Sequence, residues 1–279
     1  MYRKVAWLVT LLGTSAVCLA AEPPAGGAAK GEETLAKALA LVSPAKSHPG
    51  KLQLAAGETI VAIGDSITAG GGYLRAIDAV LAQQYPDLNI PAVVNKGISG
   101  QKAENLVGRF EADVVARKPA VATISIGIND VWHRLKAPHD PTVLEKYKEN
   151  VGKMVDQAQA AGIKVILLAP TVIQEDPGAE GNQRLPLYVA AMRAIAAEKK
   201  CQFVDLHGMF LEALQKKPAE QKGNWLTGDG VHMRPLGDAI MAIGVLRALG
   251  VPDAKIGATV IPPPPPRRPK AAPKTAPAT

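Results

Sequence analysis

Five short apolar segments, separated by longer stretches with helical patterning, constrain the fold of this 279-residue chain more than any other feature. Each has the length of a strand and few polar residues, which is typical of strands buried on both faces of a sheet. Strands that alternate with helices favour parallel pairing through right-handed crossovers. The sequence therefore predicts an α/β fold, a three-layer α/β/α sandwich with a five-stranded parallel sheet. The predicted strands are residues 59–63, 92–95, 121–126, 163–169 and 202–206, and the main predicted helices are residues 73–85, 103–117, 142–161, 186–199 and 235–249.

The first 21 residues have the pattern of a signal peptide. Arg3 and Lys4 precede an apolar run that ends in small residues suited to cleavage. The run is short for a membrane-spanning helix, and an uncleaved anchor is the alternative. Cleavage would leave Cys201 as the only cysteine and exclude an intramolecular disulfide. We therefore expect a secreted or periplasmic protein of the cell envelope, with no transmembrane helix in the mature chain.

The rest of the chain divides into a leader, one domain and a tail. Residues 22–57 are rich in Ala, Gly and Pro and are interpreted as an N-terminal leader in which residues 32–41 could form a short helix. Residues 58–252 carry the alternating strand and helix pattern. Residues 253–279 are rich in Pro, Lys and Arg, which predicts an extended, disordered tail. Such a tail could contact an acidic envelope or polymer weakly through its charge.

The net charge of +7 comes from the ends of the chain. Two of the 32 basic residues lie within the first four positions, and five lie at or after Lys255. The remaining 25 basic residues equal the acidic residues in number. A basic groove through the domain is therefore not supported, and we expect no nucleic-acid partner.

Ser66 stands where the first predicted strand gives way to a helix. A serine in this position exposes its hydroxyl close to a helix N-terminus, which favours developing negative charge. An ordinary turn serine fits the same pattern, so this segment alone leaves catalysis open.

Three further motifs are equally ambiguous when each is taken alone. Gly97 and Gly100 follow the second strand and either direct a backbone N–H at a ligand or form an ordinary turn. Asn129 follows the third strand and either offers its carboxamide or caps a helix. Asp229 and His232 precede the last helix and are either a base with its orienting carboxylate or unrelated surface residues. Together with a serine at the same sheet edge, they supply what acyl transfer requires.

These motifs resemble the four conserved blocks of the SGNH (GDSL-like) hydrolase family. Each block alone is weak, but four in order with compatible spacing are specific, and the resemblance spans residues 59–249. Ile67 stands where the family name has Leu, which leaves the nucleophile unchanged. The blocks are Gly64-Asp65-Ser66-Ile67, Asn95-x-Gly97-x-x-Gly100, Gly127-x-Asn129-Asp130 and Asp229-x-x-His232.

The resemblance implies a flavodoxin-like SGNH hydrolase fold with Ser66 as nucleophile, His232 as general base and then acid, and Asp229 as the residue that orients it. The backbone N–H groups of Ser66 and Gly100 and the side-chain amide of Asn129 would form the oxyanion hole. No metal or organic cofactor is expected. Three further residues are candidates for substrate binding, although the two acids are also expected to fix turns: Asp65, Asp130 and Trp132.

Two neighbouring features bear on these assignments. His207 follows the fifth predicted strand and is the rival base, but His232 has its Asp partner in register with the family. The loop at residues 171–184 is expected to overhang the site and shape substrate choice.

The resemblance predicts an exported serine esterase that hydrolyses carboxylic esters through an acyl-serine. The low aromatic content of 4% and the absence of an obvious apolar lid favour a small acyl ester of a polar alcohol, so an acetylated carbohydrate is the first substrate. A lysophospholipase or lipid esterase is the alternative within the family. A non-catalytic, envelope-associated binding protein that works through its basic proline-rich tail is the alternative from another class.

Overall fold

The computed structural model describes residues 29–44 and 50–263. The predicted signal peptide and residues 264–279 of the predicted tail lie outside these ranges. The sheet has five parallel strands in the order β2-β1-β3-β4-β5, which confirms the predicted number and direction. The strands are β1 (Ile60–Gly64), β2 (Val94–Gly97), β3 (Val121–Ser125), β4 (Lys164–Leu168) and β5 (Gln202–Val204).

Helices flank this sheet in the layered arrangement that the alternating sequence predicts. In one group α1 and α3 both contact α9, and in the other α4 and α7 both contact α6. The helices are α1 (Ala29–Leu41), α2 (Ser66–Gly70), α3 (Gly72–Gln84), α4 (Ala103–Asp113), α5 (Ile128–Trp132), α6 (Pro141–Ala160), α7 (Glu180–Glu198), α8 (Leu206–Gln215), α9 (Pro235–Ala248) and α10 (Asp253–Gly257). Within the described residues, no helix is both long enough and apolar enough to cross a membrane.

The strand order creates a switch point between β1 and β3. The chain leaves β1 for β2 on one side and then crosses to β3 on the other, so the connections after β1 and β3 diverge and open a crevice. Gly64 at the end of β1 lies level with Gly97 of β2 and Ser125 of β3. The polar segments that follow these strands therefore begin at the same height of the sheet edge.

Helices on either side of the predicted domain pack against it. α9 is buried on nearly all of its faces, and a helix that is apolar all round must be covered on its outer side as well. α1 supplies part of this cover, with Leu35 and Ala38 fully buried, although it lies in the predicted leader. α10 lies in the predicted tail but packs on α9, with Ile256 buried. The packed fold therefore starts before residue 58 and extends beyond residue 252.

Two helical segments also differ from the sequence prediction. α7 begins at Glu180, so Pro186 lies inside the helix and does not open it. α8 was not among the main predicted helices, and it begins where Asp205 accepts the backbone N–H of Gly208 at 2.9 Å. This side-chain cap starts a helix directly after a strand of only three residues.

Candidate active site

Ser66 is the first residue of α2, directly beyond the end of β1. The preceding residue, Asp65, is the N-cap and accepts the backbone N–H of Ile67 at 2.9 Å. Gly64 is required at the turn, because a Cβ there would lie 2.7 Å from the carbonyl oxygen of Ser125. The local sequence therefore presents the half-buried Ser66 at the N-terminus of a short helix.

The structure brings three of the predicted residues into a continuous hydrogen-bonded chain. The Oγ of Ser66 lies 2.8 Å from Nε2 of His232. The Nδ1 of His232 lies 2.7 Å from Oδ2 of Asp229. A hydroxyl, an imidazole and a carboxylate in this order can pass a proton from the hydroxyl to the imidazole, while the carboxylate orients the ring.

The charge of Asp229 is held by its surroundings. Partial burial acts to raise the pKa of Asp229, but hydrogen bonds from the backbone N–H and imidazole of His232 and from the backbone N–H of Val231 outweigh it. Together with the charge of His232, they lower the pKa to about 2. Asp229 is therefore ionised throughout the neutral range and can stabilise a positively charged imidazolium.

Asp229 and His232 lie at the tip of an irregular hairpin, residues 225–234, which we call the catalytic hairpin. Its arms are joined by an antiparallel bridge between Thr227 and Met233. The N–H of Gly228 also donates to the carbonyl of His232 at 2.8 Å. The hairpin leads directly into α9, which begins at Pro235 as the sequence predicts. The candidate acid–base pair is thus placed by a loop rather than by the end of a strand.

The candidate oxyanion donors lie on two neighbouring segments. Gly100 has a φ of +77°, a conformation that strongly favours glycine, in the loop between β2 and α4. Asn129 is buried in the first turn of α5, and its Nδ2 donates to the carbonyl of Gln101 at 3.0 Å. A carboxamide has two N–H donors, so one N–H of Asn129 fixes the Gly100 loop while the other has no partner among the described residues.

Asp65 and Asp130, two of the predicted substrate-binding residues, have buried carboxylates. Asp65 is only 2% exposed, and burial raises its pKa to about 6 against the hydrogen bond from Ile67. Asp130 is 5% exposed, and burial raises its pKa to about 7 against the hydrogen bond from Ala103. Its two oxygens each lie 3.3 Å from the N–H of Ala103, at the start of α4. Both carboxylates therefore accept backbone N–H groups at the starts of helices, and their part in substrate binding stays a prediction.

Trp132 lies beside the acid–base pair. Its ring centroid is 6.0 Å from that of His232, with the two planes at 71°, and 5.8 Å from that of His133. Trp132 is half-buried, so part of the indole remains accessible. This position is compatible with the predicted substrate contact.

The rival base is in a different environment. His207 is buried, and its Nδ1 lies 2.5 Å from the carbonyl oxygen of Thr171. The imidazole that contacts Ser66 belongs to His232. His207 therefore has a structural hydrogen bond, and the geometry favours His232 as the base.

Two neighbours of the site carry no signal in the sequence. The loop at 171–184 contacts the catalytic hairpin, and its Glu175 accepts hydrogen bonds from that hairpin. Arg109 of α4 donates to the carbonyl of Gly64 at 3.1 Å and to the side chain of Gln101 at 2.6 Å, linking the serine turn to the Gly100 loop. A lone Glu in a loop and a lone Arg in a helix look like surface residues when read along the chain.

Across residues 29–44 and 50–263, no group of three or more His, Cys, Asp or Glu side chains is arranged to hold a metal ion.

The chain is similar to known ester hydrolases. The family model described as "GDSL-like Lipase/Acylhydrolase family" matches residues 62–240, a range that contains Ser66 and His232. An acetylxylan esterase from Geobacillus stearothermophilus is 33% identical over 224 residues, which cover 71% of this chain and 97% of that protein. Esterase TesA from Pseudomonas aeruginosa is 30% identical over 186 residues, covering 64% of this chain and 82% of that protein. The crystal structure of Axe2, an acetylxylan esterase from Geobacillus stearothermophilus, matches with a TM-score of 0.65 and 32% identity over 72% of this chain and 98% of that chain.

Proposed function

Because the chain belongs to the GDSL-like lipase/acylhydrolase family and is a carboxylic ester hydrolase, we propose that it is a serine esterase that removes acetyl groups from a carbohydrate. The observation that carries the assignment as a serine esterase is the chain of hydrogen bonds from Ser66 through His232 to Asp229. The family match confirms the resemblance seen in the sequence, and the strand order and solved relative confirm the three-layer fold.

In the proposed reaction the Oγ of Ser66 attacks the ester carbonyl carbon while Nε2 of His232 takes the hydroxyl proton. The carbonyl π electrons move to the oxygen, which accepts hydrogen bonds from Asn129 and from the backbone N–H groups of Ser66 and Gly100. The tetrahedral intermediate then collapses and breaks the bond to the alcohol oxygen, which receives the proton from His232. Water attacks the acyl-serine in the same way, giving the carboxylic acid and restoring the serine hydroxyl.

Asp229 has a positioning and electrostatic role in this scheme. It accepts a hydrogen bond from Nδ1 of His232, so that Nε2 faces Ser66 in the tautomer able to accept a proton. Its pKa of about 2 keeps the carboxylate charged when the imidazolium forms beside it.

The open setting of the site supports a bulky alcohol. The side chains of His232 and Asp229 are 42% and 54% exposed. Ile98, in the same loop as Gly100, is 45% exposed. A polymer can approach such a surface without a deep channel. The half-buried indole of Trp132 offers an apolar face next to His232 for a sugar ring.

The identity of the substrate rests on the relatives. The Geobacillus stearothermophilus protein is named for its action on acetylxylan, and we extend the class of substrate, an acetylated carbohydrate, to this chain. We also propose that the protein is exported, because residues 1–21 have the charge and apolar pattern of a signal peptide.

The test compares Ser66→Ala with the unaltered protein on p-nitrophenyl acetate, p-nitrophenyl octanoate and acetylated xylan. Loss of the nucleophile should lower kcat by about 10⁴-fold or more. Ser43→Ala is the matched control, because Ser43 is exposed and its hydroxyl donates to Glu212, outside the active site. Retention of a tenth of the rate by Ser66→Ala would contradict the assignment. Octanoate turning over faster than acetate, with no release of acetate from xylan, would favour a lipid ester instead.

A further inference from the structure

The side chain of Glu175 accepts four hydrogen bonds from the first arm of the catalytic hairpin. Its Oε2 accepts the backbone N–H of Trp225 at 2.6 Å. Its Oε1 accepts the backbone N–H groups of Leu226 and Thr227 at 2.7 and 2.6 Å, and the hydroxyl of Thr227 at 2.7 Å. One carboxylate therefore binds three successive backbone donors of a segment some fifty residues further along the chain.

This arm of the hairpin is buried and depends on Glu175 for its donors. Leu226 and Thr227 are fully buried, and Trp225 is 9% exposed. Buried backbone N–H groups need an acceptor, and for these three the acceptor among the described residues is this carboxylate. The arm lies outside the main sheet, so no neighbouring strand of the sheet supplies an alternative.

The residue before Glu175 holds the tip of the same hairpin. The backbone N–H of Gln174 donates to the carbonyl of Gly230 at 2.8 Å, between Asp229 and His232. The segment is itself anchored to α7, since Asn182 accepts the N–H of Ile173 at 2.8 Å and donates to the carbonyls of Gln174 and Asp176. The hydrogen bonds of Asn182 therefore connect α7, through residues 173–176, to the catalytic hairpin.

We propose that Glu175 is a positioning residue of the esterase. Its four hydrogen bonds to the first arm of the catalytic hairpin, which we call the clasp, fix the position of His232 relative to Ser66. The inference rests on the proposed roles of Ser66, Asp229 and His232. Glu175 does not touch the reacting atoms. The loop at 171–184, expected to overhang the site, thereby supports the acid–base pair.

A small shift of the hairpin should lower the rate, because the proton passes from Ser66 to His232 across a single short hydrogen bond. His232, whose side chain is 42% exposed, reaches Ser66 across 2.8 Å from its position on the hairpin. Misplacement of a catalytic group by about 1 Å can lower the rate by about 10²-fold. Removing the clasp should therefore lower kcat more than it raises KM, because the substrate-facing residues Trp132 and Asn129 belong to α5 and not to the hairpin.

The test uses the full chain with Glu175→Ala and Glu175→Gln. The Ala variant should lose about 10-fold or more in kcat with p-nitrophenyl acetate while KM stays within about threefold. The Gln variant retains an oxygen that can accept from Leu226 and Thr227 but places an NH₂ against Trp225, so its loss should be smaller. This partial rescue distinguishes a clasp from a general need for negative charge.

Glu212→Ala is the matched control. Glu212 also accepts a backbone N–H and a hydroxyl from a distant segment, both from Ser43, but it lies on α8 and its hydrogen-bond partners are outside the hairpin. It should lower the melting temperature while leaving kcat within about twofold, because its partner does not carry the catalytic pair. Equal losses of kcat in Glu175→Ala and Glu212→Ala would show general destabilisation and overturn the inference.

A double-mutant cycle with Asp229→Asn completes the test. If Glu175 acts through the Asp229–His232 pair, Glu175→Ala should cost at most about threefold in kcat once Asp229 is changed. Full multiplication of the two losses would overturn the inference. Should Glu175→Ala fail to fold, the cycle is run with Glu175→Gln. An active Ser66→Ala would instead overturn the proposed function, whereas an inactive Ser66→Ala beside a fully active Glu175→Ala would overturn the clasp alone.

Discussion

The candidate active site has two halves that are held in different ways. Ser66, Gly100 and Asn129 follow the ends of three neighbouring parallel strands, and we call them the sheet half. Asp229 and His232 lie on the catalytic hairpin, which we call the loop half. The sheet half inherits its geometry from the backbone of the fold. The loop half depends on side chains from elsewhere, chiefly the carboxylate of Glu175.

The pKa values of the carboxylates also differ between the two halves. At the two acids adjacent in sequence to Ser66 and Asn129 of the sheet half, burial raises the pKa of Asp65 to about 6 and that of Asp130 to about 7. In the loop half, hydrogen bonds overcome the effect of partial burial and lower the pKa of Asp229 to about 2. The buried acids are suited to fixing turns, while the exposed acid keeps the charge that an imidazolium needs.

Substitution of two buried amides, one supporting each half, should distinguish stabilisation of the oxyanion from support of the catalytic hairpin. Asn129→Ala removes a candidate oxyanion donor and should lower kcat by about 10²–10³-fold, with a modest change in KM. Asn182→Ala removes the amide that anchors residues 173–176, so it should lower the melting temperature with a smaller loss of kcat. The measurement is steady-state kinetics on p-nitrophenyl acetate beside thermal unfolding. Equal kcat losses in the two variants would deny Asn129 a special role.

Glycine-to-alanine substitutions should show how well each half accommodates an added Cβ atom. At Gly97 a Cβ would lie 2.1 Å from the backbone nitrogen of Ala69, so α2 and its Ser66 must move. At Gly228 the nearest atom is the carbonyl oxygen of His232 at 3.8 Å, an ordinary contact. Gly97→Ala should therefore lower kcat by about 10-fold or more and the melting temperature by about 5 °C or more.

The matched change, Gly228→Ala, should keep kcat within about threefold and the melting temperature within about 2 °C. Both variants are measured by thermal unfolding and by hydrolysis of p-nitrophenyl acetate. If Gly97→Ala is tolerated, or if Gly228→Ala is damaging, the sheet half is not the more tightly packed of the two halves.

The same contrast explains how much the sequence could predict. The strands and Ser66, Asn129 and the Asp229–His232 pair were identifiable because apolar runs define strand ends, where parallel sheets place their ligands. The supports were not identifiable. Glu175 reaches a segment some fifty residues further along, and Arg109 reaches back to Gly64, so both contacts depend on the folded path of the chain.

The packing of α1 and α10 is hidden from the sequence for a related reason. The composition of residues 22–57 and 253–279 is typical of a leader and a tail, but composition does not show what the neighbouring core requires. α9 is buried on nearly all faces, and it needs α1 and α10 to cover it. The need for cover is visible in the sequence of α9, but the helices that supply it, α1 and α10, lie far from α9 along the chain or beyond its end and are known only from the folded structure.

The buried acid of the sheet half should also give the stability of the protein a pH dependence. The pKa of Asp130 is about 7 in the folded protein against an ordinary value of 3.8, so between about pH 4 and 7 the folded state holds a proton that the unfolded state has released. Stability from this residue is full below pH 4 and is lost as the pH rises through 7, at a slope of up to about 1.4 kcal/mol per pH unit.

Asp130→Asn keeps an oxygen that can accept the N–H of Ala103 but removes the titration. The free energy of unfolding in urea, measured between pH 4.5 and 8, should therefore fall less steeply in this variant than in the unaltered protein. Part of the slope should persist, because burial also raises the pKa of Asp65 and Asp238 to about 6. Asp87→Asn, at an exposed carboxylate, is the control and should leave the slope unchanged. If Asp130→Asn leaves the slope unchanged as well, the carboxylate is ionised in the folded protein, and the contrast between the acids of the two halves fails.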